Sequence, residues 1–313
     1  MSTLAIVAVE PGRVARGIAM ALVAYAAFST ADALLKLTSG GFSVFQIALF
    51  MAFFAMLPVL ATTIGRGGLK SIVPRNLGLV TLRGMLTACC GMLAWNAFAV
   101  LPMAEVYALL FAAPMLVTAF SAVLLGETVG WRRWSATFVG FIGVVVMIDP
   151  RFSGFGLGHL MAGLAAVAGA LSFVILKKIG AAEKSAAVLF SVLFWIMAAC
   201  LPPAVAAWVW PTPGELGVMA AAGLLFGVGQ AGLVFATREA PAVVVAPFQY
   251  SQMIWAVVFG LLVFGDVPTA NLFVGLAIVV ACGLFIVYRE TVRAKPVTVG
   301  GGRGEVPARI ARL

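Results

Sequence analysis

Residues 103–127, MAEVYALLFAAPMLVTAFSAVLLGE, and residues 242–266, AVVVAPFQYSQMIWAVVFGLLVFGD, are apolar runs of equal length that each close on a glycine followed by an acid. Sliding the first half of the chain forward by 139 positions lays Gly126-Glu127 on Gly265-Asp266, Pro102 on Pro241, Ala136 on Gly275 and Gly143 on Cys282. The chain reads as an internal duplication. After the first turn come Arg132 and Arg133, whereas the equivalent positions after the second are Asn271 and Leu272. Because cytoplasmic loops collect Lys and Arg, the two turns are expected on opposite sides of a membrane. The halves are then inverted copies of one another.

The remainder of the chain fits that frame. Of 313 residues 63% are hydrophobic and 10% charged, against about 25% charged in an ordinary soluble domain. A helix needs roughly 20 apolar residues to cross the hydrocarbon core. Ten such runs are read, at 17–36, 42–64, 77–99, 103–125, 134–148, 158–176, 185–209, 215–236, 242–264 and 269–288. The fifth is short, and Arg132 and Arg133 are expected to snorkel so that it can span. The expected fold is all-α and integral to the membrane. It divides into a cytoplasmic segment 1–16, a first five-helix repeat 17–149, an outer connecting loop 150–157, a second repeat 158–288 and a flexible cytoplasmic tail 289–313.

Orientation follows from the basic residues. With the amino terminus inside, 17 of the 20 Lys and Arg fall in inner segments. Lys36 and Arg151 lie outside, and Arg83 lies within a span. Both termini are therefore expected in the cytoplasm of a multi-pass protein of the inner membrane. The formal charge of +9 is accounted for by this topology and implies no nucleic-acid partner, since the charges are spread over short loops. Glu10, Pro11 and Arg13 interrupt the amino-terminal segment, so the first apolar run is expected to be retained. Cys89, Cys90, Cys200 and Cys282 lack metal-ligand spacing and read as packing residues.

Polar groups in the spans mark the candidate site, because a charge there costs about 2.5–3.5 kcal/mol even on the lenient insertion scale. Arg83 is read as a contact for a substrate carboxylate. Asp32 and Glu105 are candidate proton carriers, with Asp32 also placed to pair with Lys36 one turn later. Tyr107, Pro114, Thr118 and Ser121 share one face of the fourth helix. The ninth concentrates Pro247, Gln249, Tyr250, Ser251, Gln252 and Trp255 near mid-membrane, where Tyr250, Gln249 and Gln252 are expected to orient a substrate. Trp95, Asn96, Gln230 and Gln46 complete the candidates. The single histidine, His159, leaves no metal cluster or hydrolytic triad to assemble, and residues 65–71, GRGGLKS, lack the ending of a phosphate-binding loop. No metal or cofactor is called for.

In Leu101-Pro102-Met103-Ala104-Glu105, Leu125-Gly126-Glu127, Ala246-Pro247-Phe248-Gln249-Tyr250-Ser251-Gln252 and Phe264-Gly265-Asp266-Val267-Pro268, closed by Tyr288-Arg289-Glu290, the chain resembles the EamA type of the drug/metabolite transporter superfamily over about 17–290. The resemblance implies a central cavity formed by helices one to four and six to nine, with five and ten peripheral. It implies a secondary transporter working by alternating access, with a small-molecule metabolite as substrate and the lipid bilayer as surroundings. The expected direction is export of amino acids or amines. The alternative is uptake of a compound such as S-adenosylmethionine or riboflavin. A different class of reading, a polytopic membrane enzyme or binding protein, lacks a nucleophile or metal set to support it. Members often carry an arginine after the phenylalanine near the middle of the second helix, where this chain has Phe50-Met51-Ala52. A homodimer is compatible with the sequence.

Overall fold

The computed structural model describes residues 11–66, 68–126, 131–148, 156–179, 182–239 and 245–293. Glu127, most of the connecting loop and most of the two terminal segments lie outside these residues. The described chain is a helical bundle of ten crossings. Seven stretches are long and apolar enough to cross a bilayer, and shorter apolar helices at Phe138–Met147, Phe248–Phe264 and Ala270–Cys282 stand at the fifth, ninth and tenth crossings.

The helices are α1 (Pro11–Thr38), α2 (Val44–Arg66), α3 (Leu77–Val100), α4 (Met103–Leu110), α5 (Ala113–Leu125), α6 (Trp131–Ile148), α7 (Leu157–Ile179), α8 (Ser185–Ala206), α9 (Pro213–Glu239), α10 (Ser251–Phe259) and α11 (Ala270–Arg293). Two crossings are not single helices. The fourth breaks between α4 and α5, because Pro114 has no N–H to give the preceding turn and its ring crowds that turn's carbonyl. Ala112 N–H turns instead to Leu109 O at 3.0 Å. The expected single face through Tyr107, Pro114, Thr118 and Ser121 is thereby interrupted after Tyr107. The ninth crossing enters α10 through a 3-10 turn at Ala246–Tyr250 and leaves it through a π turn at Gly260–Phe264.

The duplication is built into the backbone. Gly126 and Gly265 adopt φ of 67° and 69°, a left-handed conformation that glycine enters without a Cβ penalty. Each closes its helix with the same bond, Gly126 N–H to Ser121 O and Gly265 N–H to Gly260 O. Packing repeats too. α1 lies along α9 as α3 lies along α7, and α2 packs on α9 as α8 packs on α3. Two helix pairs, α2 with α8 and α6 with α11, join a helix to its own counterpart. Each half therefore leans on the other, and the seam between them runs through the core.

Small residues make the closest of these contacts. A Cβ at Gly275 would stand 2.4 Å from Gly143 O, and one at Gly223 would stand 2.6 Å from Met51 O. Buried side chains such as Tyr107, Phe98, Phe111, Met51 and Ile196 fill the seam, while large apolar residues such as Val23, Phe138, Leu262 and Phe273 face outward. That distribution is what a bilayer, rather than water, requires of a surface.

Candidate functional site

Asp32 sits six residues from the last residue of α1 and is 9% exposed. Its two carboxylate oxygens are held by neutral donors: Trp95 Nε1–H of α3 donates to Oδ1 at 3.1 Å, and Tyr107 O–H of α4 donates to Oδ2 at 2.7 Å. The Tyr107 hydroxyl, its proton thus committed, lies 3.3 Å from Ser29 Oγ and is hydrogen-bonded by Gln252 of α10. Four segments from both halves so converge on one carboxylate. Among the described residues no lysine, arginine or histidine forms an ion pair with it.

Aromatic rings enclose the group. Phe98 packs on Tyr107 with centroids 5.0 Å apart, Phe226 of α9 meets Trp95 at 5.5 Å, and Phe28 meets Phe226 at 5.7 Å. Phe111 stacks on Tyr107 at 6.4 Å and meets Tyr250 edge-on at 5.1 Å. A carboxylate in such a place is suited to a cationic partner, whose charge offsets its own in low-dielectric surroundings. Ring faces stabilise a cation further.

The structure corrects the expected Asp32–Lys36 pair. Lys36 extends away from Asp32 toward the end of the bundle, where its Nζ donates to Leu101 O at 2.9 Å and to Asp266 Oδ2 at 3.3 Å and stands 4.7 Å from the Phe264 ring centre. A lysine near a helix end gains by carrying its ammonium toward the boundary, and Asp32 already has two donors.

Of the other predicted residues, some join this cluster and some do not. Tyr250 and Gln252 do, and Gln230 is buried one turn beyond Phe226 on α9. Gln249 is half-buried in the 3-10 turn, and Trp255 stacks on Phe259 at 6.0 Å. Asn96 donates to Met92 O at 2.7 Å and lines a separate, nearly all-apolar cavity of about 480 Å³ with Phe45, Met92, Met161 and Trp195. Glu105 Oε2 lies 3.3 Å from His159 Nε2 at the start of α7, in the other half. Arg83 is 6% exposed and sends an N–H to Val188 O at 3.4 Å between α3 and α8, with no hydrogen-bond partner at Nε. It lies 12 residues from Trp95, roughly 18 Å along α3 by helical rise. Gln46 grips the backbone of Val209 with both ends of its amide, accepting at 3.1 Å and donating at 2.5 Å.

Ser29, Phe111 and Phe226 were not singled out from sequence. Serines and phenylalanines are common in apolar spans, but one signal was present: Phe111 and Tyr250 are 139 positions apart, the repeat offset.

Residues 15–149 match the model of the EamA-like transporter family. An S-adenosylmethionine uptake transporter of Rickettsia prowazekii (strain Madrid E) is 29% identical over 283 residues, 88% of this chain and 93% of that protein. A riboflavin transporter of Rhizobium johnstonii is 30% identical over 300 residues, 92% of this chain and 96% of that protein. The pseudopaline exporter CntI of Pseudomonas aeruginosa (strain UCBPP-PA14) is 26% identical over 269 residues, 85% and 94%. A solved crystal structure superposes with a TM-score of 0.67 over 90% of this chain and 99% of its own, at 19% identity, which speaks to the fold.

Proposed function

The chain belongs to the EamA-like transporter family and is a multi-pass membrane permease for a small molecule; from that premise we propose that it takes up a metabolite with a planar ring and a positive charge, by alternating access across the inner membrane with both termini in the cytoplasm. One observation carries the reading: Asp32 is a buried carboxylate held, among the described residues, by neutral donors alone within a group of aromatic rings. Such a site lacks its counter-charge, and a cationic substrate or a proton supplies it. Trp95, Tyr107, Tyr250 and Gln252 would orient the substrate around it, with Gln230 and Gln249 further along the path. Arg83, with a backbone carbonyl and, among the described residues, no acid as its partner, would brace α3 against α8.

S-adenosylmethionine, named for the Rickettsia relative, has both a ring system and a sulfonium; riboflavin, named for the Rhizobium relative, has the ring. Counterflow in proteoliposomes tests the proposal: labelled S-adenosylmethionine and riboflavin are offered against a panel of amino acids and amines. Exchange of a ring-bearing cation supports it, and exchange confined to anionic compounds ends it. Export is the second reading, supported by the Pseudomonas relative named as an exporter. Faster loss of preloaded substrate from energised cells than from cells lacking the protein would favour it over uptake.

A further inference from the structure

Lys36 touches three things, and they belong to the segments that build the Asp32 site. It stands on α1 one turn beyond Asp32. Leu101, whose carbonyl it holds at 2.9 Å, lies between Trp95 on α3 and Tyr107 on α4. Asp266, held at 3.3 Å, follows Phe264 at the end of the crossing that carries Gln252.

These contacts divide between the halves. Lys36 and Leu101 both belong to the first repeat, whereas Asp266 and the Phe264 ring belong to the second. When two halves rock about their seam, the bond to Leu101 can persist while the contacts to Asp266 and Phe264 must part. The ion pair is also suited to breaking. Its side chains are 15% and 32% exposed, so neither charge is sealed inside the bundle and both regain water on separation. Asp266 is held in position by the left-handed Gly265 immediately before it.

We propose that Lys36 and Asp266 form the latch of the outer entrance, closing the mouth above the Asp32 site when joined and admitting solute when parted. The inference takes the Lys36 end as the outer one, on the distribution of basic residues, and depends on no particular substrate.

The test reads accessibility rather than transport. In a full-length chain whose four cysteines are replaced, Ser29→Cys places one thiol beside Tyr107. A charged, membrane-impermeant methanethiosulfonate reagent is then added to the outside of intact cells. With the latch intact labelling is slow; in Lys36→Met and in Asp266→Asn it is at least tenfold faster, and in Lys36→Arg it stays slow. Equal rates in all four backgrounds at matched protein amount overturn the proposal, as does acceleration seen only when reagent is applied from the cytoplasmic side. If Lys36→Met fails to accumulate, Asp266→Asn against Lys36→Arg gives the same decision. Faster labelling in a protein that exchanges none of the offered solutes would keep the latch and remove the substrate reading.

Discussion

Phe111 and Tyr250 occupy equivalent positions in the two halves and meet each other, edge to face, with ring centres 5.1 Å apart and planes at 89°. Equivalent residues related by a pseudo-two-fold axis touch only close to that axis, so this pair marks where the axis passes between the halves. Tyr107, one helical turn before Phe111 and stacked on it at 29°, connects the axis to Asp32.

A double-mutant cycle follows from that contact. Phe111→Leu and Tyr250→Leu each remove one ring, and an aromatic pair of this geometry contributes about 0.5–1.5 kcal/mol beyond its buried area. The double variant should therefore lose less stability than the two single losses added. Thermal unfolding in detergent measures it; strict additivity would mean that the rings do not interact.

Asp32→Asn separates function from stability. The variant removes a buried charge, and the Tyr107 hydroxyl can turn to accept from the new amide, so the melting temperature should hold or rise. Losing the charge from a hydrogen-bonded contact with a cationic substrate costs about 1.5–3 kcal/mol, which is roughly a 10- to 150-fold loss of uptake. Melting temperature and initial uptake rate, measured on the same preparation, decide the matter. A parallel fall in both would make Asp32 a structural residue.

The ten crossings and the paired turns were legible in the sequence because length, apolarity and the glycine-acid signature are local. Pro114 announced the break in the fourth crossing as well, but a run of apolar residues on both sides concealed it. Lys36 was not legible. Helical spacing offers Asp32 as its partner, whereas the partner chosen is 230 positions away, and only the packing of α1 against the ninth crossing brings that acid within reach. Trp95 and Tyr107 were visible as costly polar groups, yet their common target was not, since three helices had to be placed first. Glu183 gave no signal, being one acid in a short basic loop.

Glu183 accepts Arg75 N–H at 2.9 Å and Asn76 N–H at 2.5 Å, joining the turn before α8 to the turn before α3. Those two backbone donors, with the nearby Arg75 charge, hold its carboxyl below the ordinary glutamate value. A lowered folded-state value means that the stabilisation is present above the unfolded value of about 4.3 and is lost as pH falls through the lower, folded one. Melting temperature should therefore drop on acidification below about pH 4.3, more steeply in the native protein than in Glu183→Gln. The variant should start lower at neutral pH, since an amide oxygen cannot serve both donors as a carboxylate does. Parallel curves for the two proteins would exclude this contact as the source.

Among the described residues, the α6–α11 contact brings backbone atoms nearest to where a glycine's Cβ would stand. At Gly275 a Cβ would lie 2.3 Å from Met147 Cγ, 2.4 Å from Gly143 O and 2.7 Å from Met147 N, whereas at Gly163 it would meet nothing within 4 Å. Methionine can yield at its flexible end, but backbone atoms cannot yield without moving the helix. Gly275→Ala should therefore force α11 away from α6 and cost roughly 1–3 kcal/mol, the usual range for overpacking. Gly163→Ala adds a better helix former in open space and should leave stability unchanged or slightly raised. Unfolding of the two variants side by side in detergent supplies the check, and equal stability would mean that the helix pair is looser than its geometry implies.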